Sequence, residues 1–269
     1  MTRITLFGGS GFIGRATAAE LARRGHQVHI PARGQIAPPP GGFGTLIWAI
    51  GLTADFRTRP YDTATAHLGL LAQVLAQGAQ ERVVYLSSTR IYGGASSTHE
   101  GAALHLQPEN PSDLYNATKI AGESLVLSAP VPGVAVRLSN VLGPGEAARE
   151  TFVGAITRQA HQGRIVLESA LTTAKDYLWI DEAARGLADI ALTGQQRIYN
   201  LASGRQISHH AWVDALAQQT GCGVAIRDQA PDLGFPPIDT HRFQAEFGSL
   251  PTDPLDRIAE IARRPAQTT

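Results

Sequence analysis

The chain has 269 residues, enough for one large core or for a dominant domain with a small appendage. Apolar residues make up 43% and charged residues 17%, an ordinary globular composition that excludes a disordered chain. Twenty-three Lys and Arg balance twenty-three Asp and Glu, so charge gives no reason to expect a nucleic acid or a membrane as partner, and the lone Cys222 excludes an internal disulfide and fits a reducing, cytoplasmic setting.

Met1 to Ile13 reads as a strand running into a glycine turn rather than as a signal peptide, and no apolar stretch is long enough to span a bilayer. Arg3 to Phe7 is a β-rich run, Gly8 to Gly14 the turn, and Phe12 to Arg24 has helical apolar spacing that Gly25 stops. Gln27 to Ile30 is a second strand, which Pro31 makes short or places near an edge. From Gly34 to Gly44, three prolines and a glycine pair oppose a helix, so the crossover to a buried strand at Thr45 to Ile50 is expected to be trimmed.

Thr63 to Ala76 then reads as a helix, Arg82 to Leu86 as a strand buried on both faces, Pro111 to Leu127 as a helix that Ser112 or Asp113 caps, and Val134 to Leu138 as a strand. This alternation predicts an α/β fold with a doubly wound, Rossmann-like parallel sheet. Beyond Pro144 the pattern loosens into helices at Thr151–Gln162, Glu182–Leu192 and His209–Thr220 and strands at Tyr177–Ile180 and Ile198–Leu201. The expected division is a dinucleotide-binding domain over 1–144 with returning segments near 175–204, a smaller substrate-binding region over 145–174 and 205–262, and a flexible tail over 263–269.

Glycines at 8, 11 and 14 follow a strand and open a helix. Such a turn lets backbone approach a pyrophosphate, and the free N–H groups and dipole of the helix attract it. At the end of the second strand, Ala32 stands where an acid would bind a ribose hydroxyl, and Arg33 follows, which favours NADP(H) over NAD(H). Tyr115 and Lys119, four apart, share one helix face, and a neighbouring ammonium is expected to favour the phenolate. Ser88 ends a central strand, where open α/β sheets bind ligands.

Gly8 to Gly14, Leu86 to Gly93, Tyr115 to Lys119 and Arg137 to Pro144, with Lys175 to Asp181 and Tyr199 to Gly204, together resemble the extended short-chain dehydrogenase/reductase family, in its nucleotide-sugar epimerase, dehydratase and ketoreductase branch. The resemblance implies an NAD(P)-dependent enzyme with Ser88, Tyr115 and Lys119 as catalytic residues. Tyr115 would be the acid/base, Lys119 would lower its pKa and hold the nicotinamide ribose, and Ser88 would orient the substrate oxygen. It also implies a cofactor site made of Gly8, Ser10, Gly11, Phe12, Ile13, Gly14, Arg33, Ala49, Ile50, Gly51, Leu86, Ser87, Tyr115, Lys119 and Leu138. Substrate contacts would come from Ser88, Thr89, Arg90, Asn140 and Lys175, the last two on the diphosphate of a nucleotide-sugar. A homodimer through the helices around 63–76 and 113–127 is a further implication.

Where the family's dehydratases carry Asp-Glu, this chain has Thr89 and Arg90, so elimination chemistry is discounted. The expected activity is an NADPH-dependent ketoreductase of a nucleoside-diphosphate-linked keto-sugar, with an epimerase holding NAD(P) as the alternative and a non-catalytic dinucleotide sensor behind both. No metal site is read: His209 and His210 are adjacent and point apart on a helix. His67 reads as a packing or hydrogen-bonded residue, Asp239 with Arg242 as a local cap or ion pair, and Trp48, Trp179 and Trp212 as core or subunit-contact residues.

Overall fold

The computed structural model describes residues 1–52, 55–146 and 149–263; the tail expected to fray, Arg264 to Thr269, lies outside them. The first strands, β1 (Arg3–Phe7), β2 (Gln27–His29) and β3 (Gly44–Trp48), are followed by β4 (Gln80–Ser88), β5 (Gly133–Leu138) and, late in the chain, β9 (Ile198–Leu201). They form one six-stranded sheet in the order β2-β1-β3-β4-β5-β9, every pairing parallel. This is the Rossmann-like sheet expected from the alternating pattern. The strand order reverses at β1, whose neighbours are β2 and β3, and that reversal opens a crevice at the carboxyl ends of β1 and β3. No helix intervenes between β2 and β3, so the crossover is trimmed as the proline run implied.

Helix α1 (Phe12–Arg23) follows β1. A second helical stretch runs as α2 (Pro60–Ala64), a π-turn at Thr65–Gly69, and α3 (Leu70–Leu75). It begins three residues before the sequence suggested, because Pro60 at its first turn needs no N–H partner. Helix α4 (Asp113–Leu127) packs on β4 and β5. A side chain at Gly122 would come within 2.4 Å of the buried Tyr85 ring, so glycine is what lets α4 approach β4. Ser112 does not cap α4: its Oγ accepts from the Arg57 guanidinium instead, while Asp113 accepts from Gln107 N and Asn116 Nδ2.

Apolar residues of β1, β3 and β4 meet those of α3 and α4 in a core of Phe7, Leu46, Trp48, Leu71, Val83 and Val126. Trp48, Trp179 and Trp212 are all fully buried, which makes them core residues.

The chain divides into two compact units: residues 1–139, 181–201 and 239–249 form the first, and 140–180, 202–238 and 250–269 the second. Lys175 to Ile180 thus lies in the second unit and Asp239 to Ser249 in the first, each opposite to the expected division. In the second unit the strand read at Tyr177–Ile180 is found as β8, and four shorter strands that the loosened pattern did not reveal accompany it. Strand β8 spans Ala174–Trp179, and the four shorter ones are β6 (Asn140–Leu142), β7 (Arg164–Leu167), β10 (Gln206–Ser208) and β11 (Gly223–Ile226). They pair as β10-β8-β6 and β11-β7. Its helices are α5 (Phe152–His161), which Thr151 caps, and α7 (His209–Thr220), which Ser208 caps through Ala211 N. Buried Asp176 on β8 accepts from Ser203 N, Ser203 Oγ and Gly204 N, fixing the turn that leads into β10. His209 is buried and stacked on Phe152 at 3.9 Å, whereas His210 is exposed beside Asp214. Helix α6 (Ile180–Thr193) leads to β9, and α8 (His241–Phe247) and α9 (Ile258–Ile261) complete the helices. Asp239 caps His241 N, but Arg242 pairs with Glu100 rather than with Asp239. Among the described residues no helix is long and apolar enough to cross a membrane.

One ion pair is buried between α4 and the sheet. Arg137 on β5 donates through Nε and Nη2 to Glu123, and through Nη1 to the Tyr92 hydroxyl and Glu100 O. Both side chains are about 95% shielded, at 4% and 5% exposure. Removing one partner strands the other charge, so Glu123→Ala is expected to cost about 3–5 kcal/mol in chemical denaturation. A loss under about 1 kcal/mol would mean the pair contributes nothing that water cannot replace.

Candidate active site

The glycine turn packs too closely for side chains. Gly8 has φ +80°, and a Cβ there would sit 2.6 Å from Ala49 C; a Cβ at Gly14 would sit 2.2 Å from Gly8 O. Gly11 N donates to Gly8 O, and Gly11 precedes α1 with no side-chain cap and no acid in the first turn. The start of α1 therefore turns its positive dipole end toward an anion. Ala49 N donates to Phe7 O, which seats the Ala49–Gly51 segment beside the turn. Arg33 is exposed just beyond β2, in a turn closed by Gln35 N donating to Ala32 O, and makes no ion pair among the described residues.

Across the sheet, Ser88 ends β4 and starts a 3₁₀ turn at Thr89–Tyr92, its Oγ accepting from Arg90 N at 3.2 Å. The Ser88 side chain lies close enough to the Tyr115 hydroxyl to oppose the rise of its pKa. One turn further along α4, Lys119 Nζ donates to Leu86 O at 2.8 Å. It lies 6.0 Å from the Tyr115 ring centre, and a Cβ at Gly51 would come within 3.4 Å of it. Ser87 Oγ is buried with no hydrogen-bond partner, and Thr89 Oγ1 reaches toward Leu138 O at 3.5 Å.

Three residues join this group that the sequence did not assign to it. Phe56 packs against Tyr115 with ring centres 5.1 Å apart, and the guanidiniums of Arg57 and Arg90 both lie over the Phe56 ring. His67, carried inward by the π-turn, meets Tyr115 edge-on at 5.1 Å. The only hint was His67 itself in a helix of otherwise apolar spacing; nothing local marks Phe56. His67 Nε2 accepts from Leu52 N at 3.3 Å, so Nδ1 carries the proton and donates to Thr118 Oγ1, which in turn donates to Tyr115 O. This chain of bonds ties the segment after β3 to the face of α4 that carries Tyr115.

The electrostatics differ from the sequence expectation in one respect. Burial pushes the Tyr115 phenol up, and what opposes that rise is neighbouring Ser88 and the Arg90 charge, not Lys119. Lys119 is itself pushed down to about 7 by burial, only partly offset by Glu123. An ammonium that loses its own proton near neutrality is a poor promoter of the phenolate, so the Tyr115 phenol keeps its proton.

Asn140 and Lys175 belong to the second unit, on β6 and β8. Asn140 Nδ2 donates to Asp176 O, and Lys175 lies opposite Ile207. A cleft of about 510 Å³ in the first unit, lined by His99, Gln195, Asp239, His241, Arg242 and Glu246, shares none of the residues above.

The sequence pattern described as the NAD dependent epimerase/dehydratase family matches residues 46–202, more than half of the chain. The dTDP-6-deoxy-L-talose 4-dehydrogenase (NAD(P)(+)) of Kitasatospora kifunensis is 26% identical over 86% of this chain and 83% of its own length. A 2-alkyl-3-oxoalkanoate reductase of Stenotrophomonas maltophilia is 29% identical over 68% of this chain, which spans 63% of that protein. Among solved structures, the NAD-dependent NDP-hexosamine 5,6-dehydratase TunA superposes with TM-score 0.79 at 22% identity, over 97% of this chain and 96% of that one. RMD from Pseudomonas aeruginosa, complexed with NADPH, superposes with TM-score 0.78 at 21% identity, over 96% and 98%. At these identities the superpositions establish the fold.

Burial holds His67 neutral, its pKa pushed down to about 3 with the Lys119 charge adding to the effect. Between that value and the ordinary 6.5 the unfolded chain binds a proton that the folded chain refuses, so the fold loses stability as pH falls through this window and regains it above 6.5. Relative to His67→Asn, the natural protein is expected to lose about 2–3 kcal/mol between pH 7 and pH 4.5, read from paired urea titrations. Parallel losses in both proteins would show that His67 is not the group being titrated.

Proposed function

As the chain belongs to the NAD-dependent epimerase/dehydratase family, we propose that it is an NADPH-dependent ketoreductase acting on a keto-sugar carried on a nucleoside diphosphate. The observation that carries this reading is a buried Tyr115, its phenol pushed up by burial and drawn back by neighbouring Ser88, with Thr89 and Arg90 where elimination would need carboxylates. A carbonyl oxygen that becomes an alcohol needs one proton. Tyr115 holds one at its hydroxyl, and Ser88 Oγ fixes that hydroxyl at the strand end. Lys119, poised near neutrality and anchored to Leu86 O, is the second proton-handling group.

The residues present fit a dinucleotide. Side chains at Gly8 and Gly14 would fill the cradle, the start of α1 is uncapped, and Ser87 Oγ lacks a partner. Gly8, Ser10, Gly11, Phe12, Ile13 and Gly14 would hold the pyrophosphate, Arg33 the 2′-phosphate, and Ala49, Ile50, Gly51, Leu86, Ser87, Lys119 and Leu138 the remainder. When bound, NADPH supplies the hydride. Asn140 and Lys175 are proposed substrate residues on the strength of the resemblance. The relative that acts as a dTDP-6-deoxy-L-talose 4-dehydrogenase supports a sugar-nucleotide carbonyl as substrate.

The test is NADPH consumption with a panel of nucleotide-linked 4-keto-sugars, with net turnover and a preference over NADH expected. Interconversion of sugars without net cofactor change, by protein that purifies with bound NAD, would replace this reading with an epimerase. Tyr115→Phe is expected to lower kcat by about 10²–10⁴-fold while NADPH still binds, as followed by nucleotide fluorescence. Arg33→Ala is expected to weaken NADPH about tenfold and leave NADH unchanged; equal effects on both would remove Arg33 from the phosphate site.

A further inference from the structure

Arg90 stands two residues after Ser88, in the 3₁₀ turn that Ser88 itself caps. Its guanidinium carbon lies 4.9 Å from the centre of the Phe56 ring and 5.7 Å from that of Tyr115. Its Nε is buried without a hydrogen-bond partner. The carboxylate whose field reaches it, Asp113, is already committed to Gln107 N and Asn116 Nδ2, both at 2.8 Å. A second guanidinium, Arg57, covers the same Phe56 ring at 4.6 Å, and its hydrogen bonds go to a neutral partner, Ser112 Oγ. Neither arginine forms an ion pair among the described residues, although Arg24, Arg59 and Arg137 of the same unit each hold a carboxylate. Two like charges held on one aromatic ring, with no acid between them, repel each other unless an anion arrives from outside.

We propose that Arg90, assisted by Arg57, is an anion subsite beside the Tyr115–Ser88 pair, and that the carbonyl compound reduced here carries a carboxylate close to its reacting carbon. The inference rests on the reading that the carbonyl oxygen meets Tyr115. A guanidinium over the Tyr115 ring reaches only groups a few bonds from that oxygen. Its planar fork matches the two oxygens of a carboxylate, and the burial of Nε strengthens the match by excluding water. A sugar acid whose carboxylate adjoins the keto carbon satisfies this geometry, as does a simple 3-keto acid. One relative is named for a 3-oxoalkanoate substrate.

The experiment uses pairs in which a neutral group replaces that carboxylate. UDP-glucuronic acid and UDP-glucose are titrated calorimetrically into the full chain with NADP⁺ present, and 3-hydroxyoctanoate is compared in the same way with its methyl ester. The natural protein is expected to bind the acid about tenfold or more tightly than the neutral partner. Arg90→Gln and Arg57→Gln are each expected to erase most of that preference and leave affinity for the neutral partner unchanged. Because Arg57 is exposed, its variant keeps the test open should Arg90→Gln fold poorly. Preference in the octanoate pair alone would keep the anion subsite and discard the sugar-nucleotide reading. No preference in either pair, or arginine variants that weaken both members equally, would overturn the subsite; in the second case the arginines serve a phosphate or the fold.

Discussion

Helix α4 can lie against β4 only because residue 122 has no side chain. A Cβ there would collide with the ring of Tyr85, which is itself locked in the core with its hydroxyl donating to His67 O. The close approach has consequences on both sides of Gly122. On one side it brings Glu123 onto Arg137 of β5, burying an ion pair between helix and sheet. On the other it lets Lys119 reach Leu86 O and sets Tyr115 against Ser88 at the end of the same strand. The site is thus a product of how tightly one helix seats on two strands, and its geometry is held by elements that do not themselves react.

That seating also decides the protonation states. The phenol of Tyr115 and the ammonium of Lys119 are both shut away from water, and burial acts on them in opposite directions: it raises the acid that would become negative and lowers the base that is positive. His67, buried next to them, is neutral for the same reason. The charge that remains beside the Tyr115 hydroxyl is Arg90, whose guanidinium stays protonated despite partial burial because its ordinary pKa is so high. A residue two positions along a turn, rather than the lysine one helical turn away, sets the field at Tyr115.

The dinucleotide side of the sheet depends on a different constraint. The strand order reverses at β1, and the segment from Ile30 to Phe43 returns to β3 without a helix. Three prolines and a glycine pair make that return an extended path, closing the sheet with β2 as its edge. Arg33 is left in an exposed turn beyond that short edge strand.

The sequence by itself determined what depends on near neighbours. The glycine turn, the four-residue spacing of Tyr115 and Lys119, and the buried runs of β3 and β4 are all local, because backbone dihedrals and helical periodicity act over a few residues. Those signals were enough for the parallel sheet and for most of the proposed site. The tertiary structure alone decided the rest. Phe56 and His67 reach Tyr115 from far along the chain, and Arg57 lies over the Phe56 ring; no local pattern encodes such a meeting, since it follows from how helices seat on the sheet. The short strands of the second unit escaped for a related reason: three- and four-residue strands carry too little periodicity to stand out, and they become strands only by pairing. The field at Tyr115 belongs to the same class. Sequence spacing set Lys119 beside it, but burial, which only the folded chain fixes, took most of that lysine's influence away and left it to Arg90.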